Sequence, residues 1–239
     1  MKAMILAAGL GTRLKPFTDK HPKALALVNK KTLLQHNLEY LKSANIHEVI
    51  INIHHFADQI IQFLKSNQYF GMDITLSDET NKILETGGGI KKASWYFQNQ
   101  GPFLVMNVDI LTTLPLENLI QNHFEFHPIV TLAVSNRESS RSLLFDDNKN
   151  LCGWKNKKTN ELRMSRNSDP LSEKSFSGIH IIHPELFNYM NNDEEKFSII
   201  DTYLEVSKTK NIKYFDHSES LLIDVGRPES IIEAEKWFY

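Results

Sequence analysis

The chain has 239 residues, 41% of them hydrophobic, which is enough to bury a sizeable core. Its 27 Lys and Arg residues nearly balance its 29 Asp and Glu residues, and the net charge of −2 excludes a global basic field for nucleic acid or an anionic membrane. The single Cys152 excludes an internal disulfide, and no apolar run reaches membrane-spanning length. We therefore expect a soluble, cytoplasmic protein.

Strand-like and helix-like segments alternate through the first half of the chain. Apolar, β-branched runs predict strands at 1–7, 49–53, 103–108 and 129–134. Leu34, Leu38 and Leu41 have the i, i+4, i+7 spacing of a helix. This alternation predicts an α/β fold with a Rossmann-like, doubly wound, mostly parallel sheet, which binds ligands at the carboxyl ends of its strands.

The pattern changes after Val134. Residues 139–158 are polar, with two short apolar runs around Asp146-Asp147-Asn148, which is typical of a hairpin. Residues 155–173 lack apolar periodicity and predict a long loop. We expect a single domain, 1–239, that carries residues 139–175 as a small β insertion. The remaining predicted elements are a strand at 176–182, helices after Pro184 and from Ser198, strands near Tyr214 and Leu222, and a helix after Pro228.

The most informative stretch is Leu6-Ala7-Ala8-Gly9-Leu10-Gly11-Thr12-Arg13-Leu14, followed by Pro22-Lys23. A strand enters a turn with two glycines, whose N–H groups can approach phosphate oxygens, and Arg13 and Lys23 add positive charge. The spacing matches neither G-x-x-x-x-G-K-[ST] nor the dinucleotide fingerprint, and no clear acidic ribose ligand lies about twenty residues further on. The stretch predicts a phosphate-binding loop and argues against a dehydrogenase.

Two further features carry chemistry. Three glycines, residues 87–89, precede an amphipathic segment that ends near Phe97, and glycines at a helix start leave N–H groups open to a ligand. Asp109 and Asp224 each end a hydrophobic run. Aspartates at such positions seldom serve packing, and two of them can hold one Mg²⁺ while phosphates and waters complete its octahedral shell.

Together these motifs resemble the sugar-phosphate nucleotidyltransferase (pyrophosphorylase) family. Its signature L-A-A-G-x-G-T-R-L-x-P-x-T, followed by P-K, is matched through Pro16, Thr18 and Lys23. The resemblance implies a nucleotide-diphospho-sugar transferase fold that binds a nucleoside triphosphate and a sugar 1-phosphate with Mg²⁺. It also implies that the sugar phosphate attacks the α-phosphorus directly and that pyrophosphate leaves. Two positions depart from the usual pattern: Glu85 replaces a glycine, and Val108 replaces the glycine of N-G-D.

The resemblance assigns roles residue by residue. It implies catalytic roles for Arg13, Lys23 and Asp109, and a metal site at Asp109 and Asp224. It implies that the nucleotide contacts Leu6, Ala8, Gly9, Gly11, Thr12, Arg13, Lys23, Glu85, Thr86 and Gly87. It implies that the sugar contacts Gly88, Asn107, Ser177 and Gly178, with the pyranose against the backbone of Gly178, and that residues 139–175 cover the sugar end of the site.

Within the family, L-E-T-G-G-G-I, F-S-G-I and D-V-G are most similar to uridylyltransferases that act on N-acetylmuramate 1-phosphate in cell-wall sugar recycling. We therefore expect UTP to be favoured. Mannose and heptose 1-phosphate guanylyltransferases share much of the pattern and stay as an alternative. A catalytically silent nucleotide-sugar sensor is a second alternative, against which the retained Arg13, Lys23, Asp109 and Asp224 argue. We expect a monomer or small homo-oligomer with no nucleic-acid or membrane partner.

Overall fold

The computed structural model describes residues 1–98, 100–190 and 194–239. In these ranges the strands are β1 (Ala3–Leu6), β2 (Leu27–Val28), β3 (Lys31–Thr32), β4 (Glu48–Ile53), β5 (Asp73–Asp78), β6 (Phe103–Asn107), β7 (Ile110–Thr112), β8 (Val130–Ser135), β9 (Arg141–Phe145), β10 (Leu151–Asn156), β11 (Glu161–Met164), β12 (Ser172–Ile182), β13 (Ile212–Asp216) and β14 (Leu222–Asp224). The α-helices are α1 (Leu33–Ser43), α2 (Ala57–Ser66), α3 (Glu85–Lys92), α4 (Ser94–Phe97), α5 (Leu116–Phe126), α6 (Ile199–Ser207) and α7 (Pro228–Ala234). Short 3₁₀ helices cover Thr12–Leu14, Phe17–Asp19, Lys23–Leu25, Gln68–Gly71 and Pro184–Tyr189.

A mixed sheet forms the centre of the fold. Strands β5, β4, β1 and β6 are parallel neighbours in that order, β12 is antiparallel to both β6 and β8, and β13 is parallel to β8. Ala3 and Ile5 of β1 share a core with α1, α2 and α5, whereas Met4 shares a core with α3, α4 and α6. Helices on both faces explain why the central strands are almost continuously apolar, and they confirm the predicted α/β fold class.

The insertion is more regular than the sequence suggests. Strands β9 and β10 form the predicted antiparallel hairpin, and β9 also pairs with the start of β12. The prediction of a long loop over 155–173 is wrong, because β11 pairs with β10 inside it and β12 begins at Ser172. All four residues of β11 are exposed, so this strand has no buried face to produce an alternating pattern.

The segment after Pro184 is a 3₁₀ helix, and the helix predicted from Ser198 is α6, with the Ser198 Oγ accepting a hydrogen bond from the Ile200 N–H. Within the described ranges, no helix combines the length and the apolar character that crossing a membrane would need.

The carboxyl ends of β1 and β6 meet, since Leu6 and Asn107 are partners in the parallel ladder. This edge of the sheet holds the candidate site.

Candidate active site

A cavity of about 260 Å³ opens at the carboxyl ends of β1 and β6. It brings together many of the residues that the sequence singles out. The predicted site residues that line it are Leu6, Ala8, Gly9, Gly11, Thr12, Arg13, Lys23, Glu85, Thr86, Asn107 and Asp109. The two segments that supply most of them are the loop after β1 and the first turn of α3.

The loop after β1 depends on its two glycines in different ways. Gly11 has a positive φ of 62°, and a Cβ there would lie 2.9 Å from Thr18 Cγ2 and 3.0 Å from Lys23 Cβ. A glycine therefore lets the loop fold back against Lys23. The Thr18 hydroxyl donates to the Gly11 carbonyl at 3.0 Å and holds this turn. A Cβ at Gly9 would meet no atom within 4 Å, so its backbone is open to a ligand.

Two cations of the site each lie beside a carboxylate. Lys23 Nζ bonds Asp109 Oδ2, and their side chains are only 9% and 18% exposed. Arg13 Nη2 lies 3.9 Å from Asp224 Oδ1 in a more open position. Gly226 makes room for this second pair, because a Cβ there would come within 2.6 Å of Arg13 Nη2 and 2.7 Å of Asp224 Oδ1. The cavity thus has fixed positive charge close to two carboxylates.

The two aspartates fit the requirements of a magnesium ion. Their main chains are neighbours, since the Val225 N–H donates to the Asp109 carbonyl at 2.8 Å. Asp224 Oδ1 is buried and has no hydrogen-bond partner among the described residues, and Arg13 Nη2 faces it at 3.9 Å by charge alone. A metal ion would therefore share this oxygen with the arginine. The described ranges contain no group of three or more His, Cys, Asp or Glu residues that could hold a metal by itself. Mg²⁺ commonly binds one or two carboxylates and completes its shell with substrate phosphates and waters.

Two glycines of the run in α3 pack against the chain segment that precedes α6. Gly87 and Gly88 lie inside α3, and both N–H groups donate to the Phe197 carbonyl, at 2.9 and 3.4 Å. A Cβ at Gly88 would lie 2.1 Å from the Glu195 carbonyl oxygen. The expectation of open N–H groups is wrong for Gly87 and Gly88, and neither glycine lines the cavity. Their contacts with nucleotide and sugar stay a prediction. These residues allow close packing between α3 and residues 195–197.

Glu85 and Thr86, by contrast, do line the cavity. Glu85 has a positive φ of 60°, a conformation that glycine adopts without steric cost. This explains in physical terms why a glycine is usual at this position. Glu85 Oε1 lies 3.5 Å from Lys196 Nζ, and the Thr86 hydroxyl accepts a hydrogen bond from the Ile199 N–H at 3.0 Å. Glu85 is thereby connected to the segment before α6, and Thr86 to the first residue of α6.

The two predicted sugar contacts on β12, Ser177 and Gly178, do not line the cavity. Ser177 is buried, with its Oγ 2.7 Å from His217 Nε2. Gly178 has a φ of 74°, and a Cβ there would lie 2.8 Å from Asn107 Nδ2. A side chain at position 178 would thus collide with Asn107. The contact of Ser177 and Gly178 with a sugar stays a prediction. Gly178 shapes the wall indirectly, by giving room to Asn107.

Sequence reasoning missed several lining residues, namely Ala7, Glu79, Ile83, Val108 and Gly226. Glu79 is the most unusual of them, because it is only 1% exposed and burial raises the pKa of its carboxyl. Its position directly after β5 is a recognisable signal, but that short strand begins and ends with aspartate and was not predicted. No lining residue comes from 139–175, so the location of the insertion over a sugar stays a prediction.

The sequence profile of the Nucleotidyl transferase family matches residues 2–238. The chain belongs to this family. An N-acetylmuramate alpha-1-phosphate uridylyltransferase from Neisseria meningitidis serogroup B is 35% identical over 195 residues, which are 79% of this chain and 78% of that protein. HddC from Yersinia pseudotuberculosis, solved in complex with GMP-PN, superposes with a TM-score of 0.78 at 25% identity and covers 100% of this chain and 99% of its own. These findings confirm the predicted family and its fold.

An N-acetylmuramate alpha-1-phosphate uridylyltransferase from Caulobacter vibrioides is 44% identical over 109 residues. That match covers 45% of this chain and 45% of the Caulobacter protein. The chain therefore matches less than half the length of this relative. The family is established, whereas the substrates have to be argued from the site.

Proposed function

We propose that the protein is a sugar-1-phosphate nucleotidylyltransferase, which joins a nucleoside triphosphate to a sugar 1-phosphate and releases pyrophosphate. One observation carries this proposal: Arg13, Lys23 and the open backbone of Gly9 face the same cavity as Asp109. Two polyanionic substrates repel each other strongly at short range, so a site for their reaction needs fixed positive charge. Arg13 and Lys23 supply that charge where the sheet ends, each beside a carboxylate.

In the proposed reaction a phosphate oxygen of the sugar 1-phosphate attacks the α-phosphorus in line. The bond between the α-phosphorus and the bridging oxygen breaks, and its electrons leave with pyrophosphate. Lys23 stabilises charge that develops at the α-phosphate, and Arg13 and the loop N–H groups hold the outer phosphates. Asp109 and Asp224 would hold a Mg²⁺ ion, which supplies charge neutralisation between the substrates.

We propose UTP and N-acetylmuramate 1-phosphate as the favoured substrates, and a role in cell-wall sugar recycling. The support comes from two relatives of that description, at 44% and 35% identity, together with the glutamate of L-E-T-G-G-G. A guanylyltransferase acting on mannose or heptose 1-phosphate is the second candidate, because HddC was solved with GMP-PN and superposes along the whole chain.

The test is pyrophosphate release by the purified protein with UTP or GTP, each paired with the 1-phosphates of N-acetylmuramate, N-acetylglucosamine and mannose. Turnover with any pair, accompanied by the matching nucleotide-sugar, supports the reaction class. Tight binding of a nucleotide-sugar without turnover of any pair would instead identify a sensor. A cytoplasmic location stays a prediction from the sequence.

A further inference from the structure

A buried chain of hydrogen bonds connects the loop after β1 to the start of α3. The Ala7 N–H donates to Asn52 Oδ1 at 2.6 Å, and Asn52 Nδ2 donates to Glu79 Oε1 at 2.8 Å. At the other end, the Leu84 N–H donates to Glu79 Oε2 at 3.3 Å. Asn52 and Glu79 are 2% and 1% exposed, so water does not compete for these bonds.

The chain of bonds begins and ends at segments that line the cavity. Ala7 itself lines it, and Leu84 lies between the lining residues Ile83 and Glu85. Glu79 is further fixed by its own N–H, which donates to the Ile53 carbonyl at 2.8 Å. This chain of hydrogen bonds therefore joins the two segments that supply most of the cavity lining.

Both ends of this chain are backbone donors, and this fixes the chemistry between them. Asn52 offers one acceptor and one donor, so it passes the requirement for an acceptor on to Glu79. Glu79 must then accept from two sides, which a carboxyl group does with its two oxygens. A carboxamide has a single oxygen, and one of its two contacts would place an N–H group against another N–H group. The structure thus requires one amide and one carboxylate in this pair.

A glycine of α3 gives these two side chains their space. A Cβ at Gly89 would lie 2.8 Å from Glu79 Oε1 and 2.9 Å from Asn52 Nδ2. The third glycine of the run therefore serves the hydrogen-bonded pair, whereas Gly87 and Gly88 serve packing against residues 195–197. Burial of a carboxyl group costs free energy. Where only packing is needed, apolar side chains provide it without that cost.

We propose that Asn52 and Glu79 are positioning residues that hold the phosphate-binding loop and the first turn of α3 at the separation that the nucleoside triphosphate requires. The proposal rests on the nucleotidyltransferase function proposed above. Neither residue needs to react. Their effect is on how well the cavity is formed before the nucleotide arrives, so it is expected in the affinity for the triphosphate.

The experiment exchanges the two functional groups. Glu79→Gln and Asn52→Asp each spoil the pairing, the first by opposing two donors and the second by opposing two carboxyl groups. The double variant N52D/E79Q restores it, because the carboxylate introduced at position 52 accepts from Ala7 and from the new amide, whose oxygen accepts from Leu84. Glu125→Gln on the exposed surface of α5 is the control for loss of a carboxylate.

We expect each single variant to raise the KM for the triphosphate roughly 10-fold or more, the scale set by a buried polar group left unpaired. The double variant is expected to return to within about 3-fold of the parent protein, since every bond of the chain is restored. A merely structural role would lower the active fraction, and thus kcat, without moving KM. Triphosphate affinity measured by calorimetry provides a readout that does not require turnover.

Three results separate the possibilities. If the parent protein turns over no substrate pair, the proposed function fails. If the parent is active and the single variants keep its KM, the positioning proposal fails. If the single variants do not fold, the double variant decides: a folded protein with the parent KM supports the proposal, and a misfolded protein or a raised KM overturns it.

Discussion

Lys23 and Asp109 form an ion pair that joins the loop after β1 to the end of β6. Both side chains are largely shielded from water, with exposed fractions of 9% and 18%. Lys23 begins a 3₁₀ helix directly after Pro22, and the bend at Gly11 places the loop against its side chain. The lysine is therefore held in place before a substrate binds, which is the condition under which a charged donor contributes most to catalysis.

The first prediction concerns this lysine. Lys23→Ala should lower kcat by roughly 10²–10³, the scale of removing one preorganised charge-stabilising donor. Lys20→Ala is the matched control, because Lys20 is exposed in the same loop and does not line the cavity. Steady-state kinetics on both folded variants provide the measurement. Near-normal kcat for Lys23→Ala would remove Lys23 from the mechanism.

The second prediction concerns the metal. EDTA should abolish turnover and Mg²⁺ should restore it, because Asp109 and Asp224 would hold the ion with the substrate phosphates. Asp224→Asn keeps the side-chain shape and removes one charge, so the Mg²⁺ concentration at half-maximal rate should rise. Asp201→Asn, on an exposed surface position of α6, is the control. An unchanged rate and an unchanged Mg²⁺ dependence in Asp224→Asn would exclude the two-carboxylate site.

The sequence alone was sufficient to predict a feature of the structure where one local pattern has one physical meaning. That the loop after β1 lines the cavity was predictable because a strand, two glycines and two cations fall within one short stretch. The packing of the glycines at 87–89 was not predictable, because open N–H groups and close packing both require glycine. The Phe197 carbonyl, which accepts from Gly87 and Gly88, is also distant in the sequence. Glu79 was missed for a related reason: its partners Asn52 and Leu84 come from other segments, so their pairing appears only in the folded chain.

The third prediction tests the packing role of this glycine run. Gly88→Ala should destabilise the protein by about 1–3 kcal/mol, because the new Cβ would lie 2.1 Å from the Glu195 carbonyl oxygen and the backbone must move. Gly101→Ala is the control: a Cβ there meets no atom within 4 Å, and a change within about 0.5 kcal/mol is expected. Urea unfolding measures both. Equal stability of the two variants would contradict the packing assignment.

The fourth prediction concerns stability in mild acid. Burial lowers the pKa of His123 to about 4, with His183 and His127 acting in the same direction. A histidine with a lowered folded pKa stabilises the fold fully above its unfolded pKa, and this contribution is lost as the pH falls from about 6.5 towards 4. The free energy of unfolding should therefore decrease over this range, by about 3 kcal/mol at most from His123.

His123→Gln isolates this contribution, because glutamine does not titrate and can still bond Thr131. His180, whose pKa burial lowers to about 3, adds a background that the parent and the variant share. Urea unfolding of both proteins at pH 7 and pH 5 measures how much free energy of unfolding each loses over this range. The prediction is wrong if the parent and His123→Gln lose stability equally between these two pH values.

The last prediction concerns the base. Backbone groups at Ala8 and Gly9 line the same cavity as Glu85 and Thr86, and together they would offer a pyrimidine edge a matched set of donors and acceptors. A site built around such hydrogen bonds rejects a base that leaves them unpaired, and each buried group left unpaired costs about 1–3 kcal/mol. Two such losses predict that UTP is preferred over GTP by roughly tens-fold to thousands-fold in kcat/KM. Competition between the two triphosphates with N-acetylmuramate 1-phosphate measures the ratio. GTP with mannose 1-phosphate as the best pair would overturn this assignment and leave the reaction class intact.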